Sequence, residues 1–184
     1  MRNVTRDEIV DYQTYEETRQ RFRDDVMTAK AERRVHVGEA LTFLFENPMT
    51  VRYQIQEMMR AERIVREAEI RHEIDTYNGL LGGDGELGCT LLIEIEDPGE
   101  RDARLEAWYA LPEHVYVRLP DGRRVAAQFD AAQRGRGRVS SVQYLRFPVD
   151  GNVPVAIGVD MPGLSAETLL TEPQRAALAA DLAG

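Results

Sequence analysis

The chain has 184 residues, of which 43% are hydrophobic and 30% are charged, and its formal net charge is −9. This composition is typical of a folded globular protein rather than a disordered chain, and the acidic excess argues against nucleic acid as a partner. The longest uncharged stretch, residues 151–159, is far shorter than the roughly 20 apolar residues that cross a membrane.

The first eight residues and the cysteine content indicate the compartment. The opening segment has no apolar core of the kind that a signal peptide requires, and it is typical of the start of a helix. Cys89 is the single cysteine, so the sequence offers neither an internal disulfide nor a paired-cysteine metal motif. We therefore expect a cytoplasmic protein.

The N-terminal part is predicted to be mostly helical. Thr5 and Thr14 are each followed three residues later by glutamate, a capping-box pattern that predicts two early helices. Alternating apolar residues across 34–46 then predict a β-hairpin. Asn47 and Pro48 are typical of a helix start.

A long helical region is expected to follow Pro48 and to run to about Leu81. Its apolar stripe contains one five-residue step, and this misfit predicts a kink or two successive helices with the break near 66–69. The glycine-rich segment 82–88 comes next and is the predicted hinge between two halves of the chain.

The second half is predicted to be rich in strands. Apolar alternation predicts a strand after Cys89, a hairpin around Pro120-Asp121-Gly122, and strands over 139–147 and 153–159. A Thr-x-x-Gln capping box at Thr171 predicts a C-terminal helix.

Together these patterns predict an α+β fold: a helical N-terminal half with a β-hairpin, packed on a mainly antiparallel sheet, with a C-terminal helix. We expect a single domain over 1–184 with possible sub-lobes 1–81 and 89–184.

The densest polar run lies on the predicted helix 51–65. Glu62 falls in helical register with Val51 and Ile55, which predicts a buried carboxylate that requires a partner. Such a carboxylate serves either as a general acid or base or as the centre of a structural ion-pair network, and both interpretations stay open. The candidate ligand-binding residues are Gln54, Glu57, Arg60, Glu62, Arg63 and Arg146.

Three other patterns favour structural interpretations. Glu69 and His72 have the spacing of a diiron helix, but such a centre needs a second copy of the motif and further carboxylates, so no metal is predicted. The arginine–glycine run 134–138 lacks the aromatic residues of a nucleic-acid site and is interpreted as a loop. No histidine lies near Cys89 in sequence, which favours a packing role over a nucleophile.

Several motifs taken together resemble a known bacterial family. They are Thr5-Arg6-Asp7-Glu8, Phe45-Glu46-Asn47, the run Tyr53-Gln54-Ile55-Gln56-Glu57-Met58, Asp75-x-Tyr77-Asn78 and Val142-Gln143-Tyr144-x-Arg146-Phe147. The chain resembles, over nearly its full length, a family catalogued only as a domain of unknown function. The resemblance implies a possible partner from redox metabolism and no established activity or cofactor.

Two functional hypotheses follow. The first is a non-catalytic accessory or protein-binding domain, because the sequence contains no recognised active-site motif and the strand 153–159 carries small residues on one face that would admit a helix or another chain. The second is an enzyme or small-ligand binder that uses an Arg/Glu site on the helix 51–65.

Overall fold

The structure is a computed structural model that describes residues 1–133, 135 and 137–184. Two antiparallel four-stranded sheets and five α-helices lie in the described residues, which confirms the predicted α+β class. The helices are α1 Tyr12–Ala31, α2 Pro48–Glu62, α3 Glu67–Asn78, α4 Pro98–Ala107 and α5 Glu172–Ala183. The strands are β1 Arg34–Val37, β2 Leu41–Phe45, β3 Glu86–Ile93, β4 Val115–Arg118, β5 Arg124–Ala126, β6 Val142–Pro148, β7 Ala156–Met161 and β8 Leu164–Leu169.

The eight strands divide between two sheets. Sheet A has the order β1-β2-β3-β6, and sheet B has the order β5-β4-β7-β8. The inner faces of the two sheets share one apolar core, which includes Phe43, Leu91 and Phe147 from sheet A and Val117 and Ile157 from sheet B. This core holds the sheets face to face, because burial of apolar area is the main favourable term in folding.

The sheets also meet at both edges. At one edge the Thr168 hydroxyl on β8 donates to the His36 carbonyl on β1 at 2.7 Å. At the other edge Gln128 and Arg146 form a bridge in which each backbone amide donates to the other's carbonyl at 2.8 Å. The edge strands are therefore partly covered, as expected for a sheet protein that avoids open pairing edges.

Helices α2 and α3 form a second apolar cluster with the N-terminal segment. Their buried residues include Val51, Ile55 and Ile74, which pack with Val4 and Ile9. The amide of Asn78 also clamps the N-terminal segment, because it accepts from the Val4 amide and donates to the Val4 carbonyl, both at 2.9 Å. No helix in the described part of the chain is long and apolar enough to span a membrane.

Helix α1 begins earlier than the Thr14 pattern predicts. Asp11 is its N-cap, and one carboxylate oxygen accepts from the amides of Gln13 and Thr14, both at 3.0 Å. The Thr5 pattern forms a single 3₁₀ turn over Arg6–Glu8 rather than a helix. The competing cap at Asp11 explains the shift, because an aspartate caps a helix at least as well as a threonine.

The break in the long helical region is confirmed, but it lies at 63–66 rather than at 66–69. Arg63 ends α2 in the left-handed conformation, with φ 53° and ψ 44°. Ile64 then packs into the helical cluster, whereas Val65 is 68% exposed. A left-handed residue at the C-cap is a common way to end a helix.

The last two strands differ from the prediction. The strand expected over 153–159 is β7, which runs from Ala156 to Met161, and β8 was not predicted. A turn at Gly163, with φ +81°, joins the two strands. Strand β8 gives a weak sequence signal because Ser165, Glu167 and Leu169 are exposed and the alternating residues between them are only partly buried.

The glycine-rich segment 82–88 leads directly into sheet A. Strand β3 begins at Glu86, inside this segment, and a Cβ atom at Gly88 would lie 1.9 Å from the Leu80 carbonyl oxygen. The backbone of the segment after α3, at Leu80 and Gly82, therefore packs directly against β3. The hairpin β1–β2 from the first half pairs with β3 from the second half, so both predicted sub-lobes contribute to sheet A.

Candidate ligand-binding cleft

The outer face of sheet A carries a row of side chains that cross all four strands. In register they are Arg34, Leu44, Thr90 and Tyr144. The next outward positions include Leu92 and Val142, which are paired across β3 and β6. Because side chains alternate across a strand, this whole set faces away from the inter-sheet core.

A cavity of about 290 Å³ lies above this row. The sheet forms its floor, and residues of α1, α2, α3 and the segment after α3 complete its lining. The polar residues that line it are Lys30, Arg34, Glu46, Thr50, Gln54, Tyr77, Thr90 and Tyr144. Its size is close to the lower end of the range for small-molecule sites, and its polar groups come from several separate elements.

A second cavity of about 540 Å³ continues from the first. The two share Tyr77, Leu80 and Tyr144, and the second adds Arg146 and Gln128 to the lining. We call the two cavities together the cleft. Tyr144 lies between them and is 42% exposed, so its ring is accessible to a ligand in the cleft.

Glu46 is the one carboxylate among the described residues that line the 290 Å³ cavity. Its side chain is nearly buried and accepts hydrogen bonds from the Thr50 hydroxyl at 2.5 Å and the Thr90 hydroxyl at 2.6 Å. Two hydroxyl donors fix the carboxylate and offset part of its desolvation. The local cause is the chain path, since Glu46 comes directly between β2 and the N-cap of α2 at Asn47.

Two cations line the same cavity. Lys30 lies at the end of α1 and Arg34 at the start of β1, and neither forms an ion pair with a carboxylate in the described part of the chain. Burial lowers the pKa of the Lys30 amine, the negative charge of Glu46 opposes this effect, and the nearby Arg34 lowers the pKa further. The amine lies 5.4 Å from the centre of the Tyr53 ring, a favourable cation–π arrangement.

Tyr77 supplies a neutral donor to the cleft. Burial raises the pKa of its phenol, although a hydrogen bond with Gln54 acts in the opposite direction. The hydroxyl therefore keeps its proton at neutral pH and can donate to an acceptor. Gln54 and Tyr77 also tie α2 to α3 above the cavity.

The six predicted ligand-binding residues do not converge on one cavity. Gln54 and Arg146 line the cleft, in its first and second cavities respectively. Arg60 and Arg63 line a separate cavity on the surface beside Tyr12. Glu57 and Glu62 lie outside all of these cavities.

Glu57 joins α1 to α2. It accepts a hydrogen bond from the Tyr15 hydroxyl at 2.7 Å and two from the Arg19 guanidinium at 2.8 and 2.9 Å, and Arg60 lies 3.5 Å away. The hydrogen bonds from Arg19 lower the pKa of Glu57 to about 2. This geometry is that of a structural ion-pair network, one of the two interpretations that the sequence left open for the polar run.

The predicted burial of Glu62 is wrong. Its side chain is exposed, because the buried face of α2 continues from Ile55 through Gln56 to Met59 rather than through Met58. Arg63 is also exposed. The predicted apolar stripe runs on to Val65, but the helix ends at Glu62 and the helical register is lost there.

The other motifs have structural roles where they are described. Glu69 lies 3.6 Å from Arg66 in an ion pair at the surface. The described residues contain no group of three or more His, Cys, Asp or Glu side chains that could hold a metal ion. Burial raises the pKa of the Cys89 thiol well above its ordinary value, which suits a packing residue. Arg134 and Arg136 of the run 134–138 lie outside the described residues.

The small-residue face of the strand predicted over 153–159 is filled from within the protein. A Cβ atom at Gly158 would lie 2.8 Å from the Tyr116 hydroxyl oxygen and 2.8 Å from the Ala166 carbonyl oxygen. Pro154 and Ala156 are buried as well. The prediction that this face admits a helix or another chain is therefore wrong.

Lys30, Glu46 and Thr90 line the cavity but are not among the site residues predicted from the sequence. Lys30 did carry a signal, because it is the one lysine among 23 basic residues. Glu46 and Thr90 are 44 residues apart in sequence, and only the pairing of β2 with β3 brings them together.

Comparison with known proteins places this architecture in a family. The profile of a family described as a protein of unknown function, DUF3501, matches residues 3–182. The chain belongs to this family. The Tyr-Gln-Ile-Gln-Glu-Met resemblance is thereby confirmed.

A solved structure supports the fold. The chain is similar to a protein of unknown function from Burkholderia pseudomallei, with 30% sequence identity and a TM-score of 0.90 over 98% of this chain and 100% of that chain. A search of curated proteins gave no significant match. The two proteins therefore share this fold, and the function of this chain has to be argued from the cleft.

Proposed function

We propose that this protein binds a small anionic molecule in the cleft on the outer face of sheet A. The observation that carries the proposal is that partly buried Lys30 and exposed Arg34 line one cavity without a carboxylate ion pair among the described residues. Cations on a protein surface normally find a carboxylate or remain in bulk water. Two of them that line one cavity favour an external anion.

The neutral groups of the cavity give the ligand an orientation. A carboxylate or phosphate would contact Arg34 and Lys30, since guanidinium groups bind planar oxyanions through paired hydrogen bonds. Glu46 repels an anion, so a hydroxyl, amino or other donor of the ligand would face it. Tyr77, Tyr144 and Gln54 supply hydrogen bonds and an apolar ring surface between these two ends.

Arg146 extends the proposed site into the second cavity. It lines that cavity together with Gln128 and forms no ion pair with a described carboxylate. Longer ligands with a second anionic group would reach it. Of the residues that the sequence predicted, the proposed site therefore keeps Gln54 and Arg146.

The experiment is calorimetric titration of the purified protein with small monocarboxylates, dicarboxylates and phosphate esters. Arg34→Gln should weaken binding at least tenfold, since a charge-assisted hydrogen bond contributes about 1.5–3 kcal/mol. Arg124→Gln is the matched control, because Arg124 lies on sheet B, where its guanidinium already pairs with Asp160 at 3.1 Å. Equal effects of the two substitutions, or no binding of any anion class, would overturn the proposal.

The association with a redox partner and the cytoplasmic location remain predictions. The protein-binding hypothesis has also lost one of its two sequence arguments, because Tyr116 packs against Gly158 on the small-residue face and Pro154 and Ala156 are buried. Co-purification of a defined redox protein from native cells, reduced by a substitution on the surface of this chain, would restore it.

A further inference from the structure

Lys30 is unusual in both sequence and structure. It is the one lysine of the chain, whereas the other 22 basic residues are arginines. Arginine keeps its proton in proteins, so Lys30 and the N-terminus are the amines of this sequence that can become nucleophiles. Lys30 also lines the 290 Å³ cavity of the cleft.

The surroundings of Lys30 favour an uncharged amine. Its side chain is partly buried, and the nearby charge of Arg34 is of the same sign. Burial is the largest cause of the lowered pKa of this amine; the negative charge of Glu46 opposes it, Arg34 acts in the same direction as burial, and the net effect is a lowered pKa. A lysine that is desolvated and placed beside another cation is the type that forms imines with carbonyl compounds.

Groups that assist such a reaction line the same cavity. Arg34 can hold a carboxylate of the ligand, and Glu46 is a carboxylate that can accept and return a proton. Glu46 is already bonded to the hydroxyls of Thr50 and Thr90, which give it a fixed position. The cavity therefore combines an amine, a proton carrier and an anion-binding group.

We propose that Lys30 forms a covalent imine with a small carboxylic acid that carries an aldehyde or ketone group. The inference rests on the proposed function, because the carboxylate of this ligand is the anion that the cleft binds. The amine nitrogen adds its electron pair to the carbonyl carbon to give a carbinolamine. The carbonyl oxygen then leaves as water with both amine hydrogens, so the step requires no oxidant or reductant.

The test is reductive trapping. The intact protein is incubated with glyoxylate and cyanoborohydride, and the sites of carboxymethylation are located by peptide mass spectrometry. The reference is the variant Arg124→Lys, which introduces a second lysine on sheet B, at the position where the Arg124 guanidinium lies 4.1 Å from the centre of the Tyr116 ring. We expect Lys30 to react roughly tenfold faster or more than the amine at position 124, because a ligand held beside an amine reacts at a high effective concentration.

Further variants and a competitor separate the two proposals. Lys30→Arg keeps the charge and should abolish trapping in the cleft, while glycolate, which has no carbonyl group, should compete with glyoxylate. Binding of glycolate without faster trapping at Lys30 would overturn the imine and leave the anion site intact. Lack of glycolate binding together with equal reaction of the two amines would overturn both.

Discussion

The outer faces of the two sheets carry similar residues but differ in what those residues contact. On sheet B, Glu167 accepts from the Tyr116 hydroxyl at 3.1 Å and from Arg118 at 2.8 Å, and Arg124 pairs with Asp160. Each of these charged groups has a partner of opposite sign on the next strand but one in the sheet. The face is a cross-strand network at the protein surface.

On the outer face of sheet A, the side chains of Arg34, Tyr144 and Arg146 have no carboxylate partner among the residues that the structure describes. Helices α2 and α3 lie above this face, and the space between helix and sheet is a cavity instead of a network of ion pairs. The difference shows that residue types alone do not define a site. A covering element and unsatisfied cations distinguish the cleft from the surface of sheet B.

The largest loss of stability is expected from replacing a glycine in a middle strand of either sheet by alanine. Gly88→Ala would place Cβ 1.9 Å from the Leu80 carbonyl oxygen and 2.9 Å from the Gly82 amide nitrogen, both backbone atoms. The segment after α3 would have to move away from the sheet, at a cost of about 3 kcal/mol or more. Urea unfolding measures this loss.

Gly158→Ala on sheet B is the matched substitution. Its Cβ would meet the Tyr116 hydroxyl and the Ala166 carbonyl at 2.8 Å, so one of the two obstacles is a side chain that can move. We expect a cost of about 1–2 kcal/mol. A larger loss at Gly158 than at Gly88 would show that the segment after α3 does not pack against β3 as described.

The second prediction concerns the carboxylates of the two faces. Glu46→Gln removes the charge from a nearly buried group that accepts two short hydroxyl hydrogen bonds, and the free energy of unfolding should fall by about 1–3 kcal/mol. Glu167→Gln should cost less than about 1 kcal/mol, because the side chain is 29% exposed and solvent screens its pair with Arg118. Chemical unfolding at neutral pH compares the two, and equal losses would contradict the distinction between the faces.

The sequence predicted the elements that local patterns determine. The hairpin β1–β2, the caps at Asn47 and Thr171 and the turn at Gly122 all follow from side-chain chemistry within a few residues. Strand β8 was missed because its pattern is mixed, and the start of α1 was misplaced because two caps competed. These errors lie at element boundaries and at a partly covered sheet edge, where tertiary contacts rather than local sequence determine the secondary structure.

The candidate site was less predictable than the fold. Its floor takes at least one residue from each strand of sheet A, and the register that aligns Arg34 with Tyr144 depends on three separate strand pairings. The polar run on α2 was predicted to form the site because it is the densest in the sequence. Glu57 of that run instead accepts hydrogen bonds from Tyr15 and Arg19 of α1 and does not line the cleft. Density of charge in sequence does not reveal which charges already have partners.

The third prediction uses pH to compare the helices above the cleft with sheet B. Arg19 lowers the pKa of Glu57 from its ordinary value of 4.5 to about 2, so this pair stabilises the protein above the ordinary value and loses its contribution as the pH falls toward 2. Glu57→Gln should therefore cost about 1–2 kcal/mol at pH 7, and this difference from the native protein should shrink at low pH.

Glu167→Gln is the control for the pH series. Arg118 lowers the pKa of Glu167 as well, so the sign of its effect is the same, but this pair is more exposed and its contribution should be smaller. Urea unfolding between pH 7 and pH 3 measures both. A constant difference between the native protein and Glu57→Gln across this range would rule out the Arg19–Glu57 pair as the source.

The smallest expected changes in the free energy of unfolding come from replacing an outward-facing arginine, and they should have opposite signs on the two sheets. In the absence of ligand, Arg34→Gln should leave stability unchanged or raise it by less than about 0.5 kcal/mol, because Arg34 has no described carboxylate partner and its charge repels Lys30. Arg124→Gln should lower stability by a similarly small amount, since it loses the pair with Asp160 and the contact with the Tyr116 ring. Thermal unfolding of both variants with and without an anion separates stability from binding. If Arg34 lowers the stability of the free protein and raises it only when an anion is present, Arg34 is a binding residue. Loss of stability of the free protein on Arg34→Gln would instead show that Arg34 has a structural role.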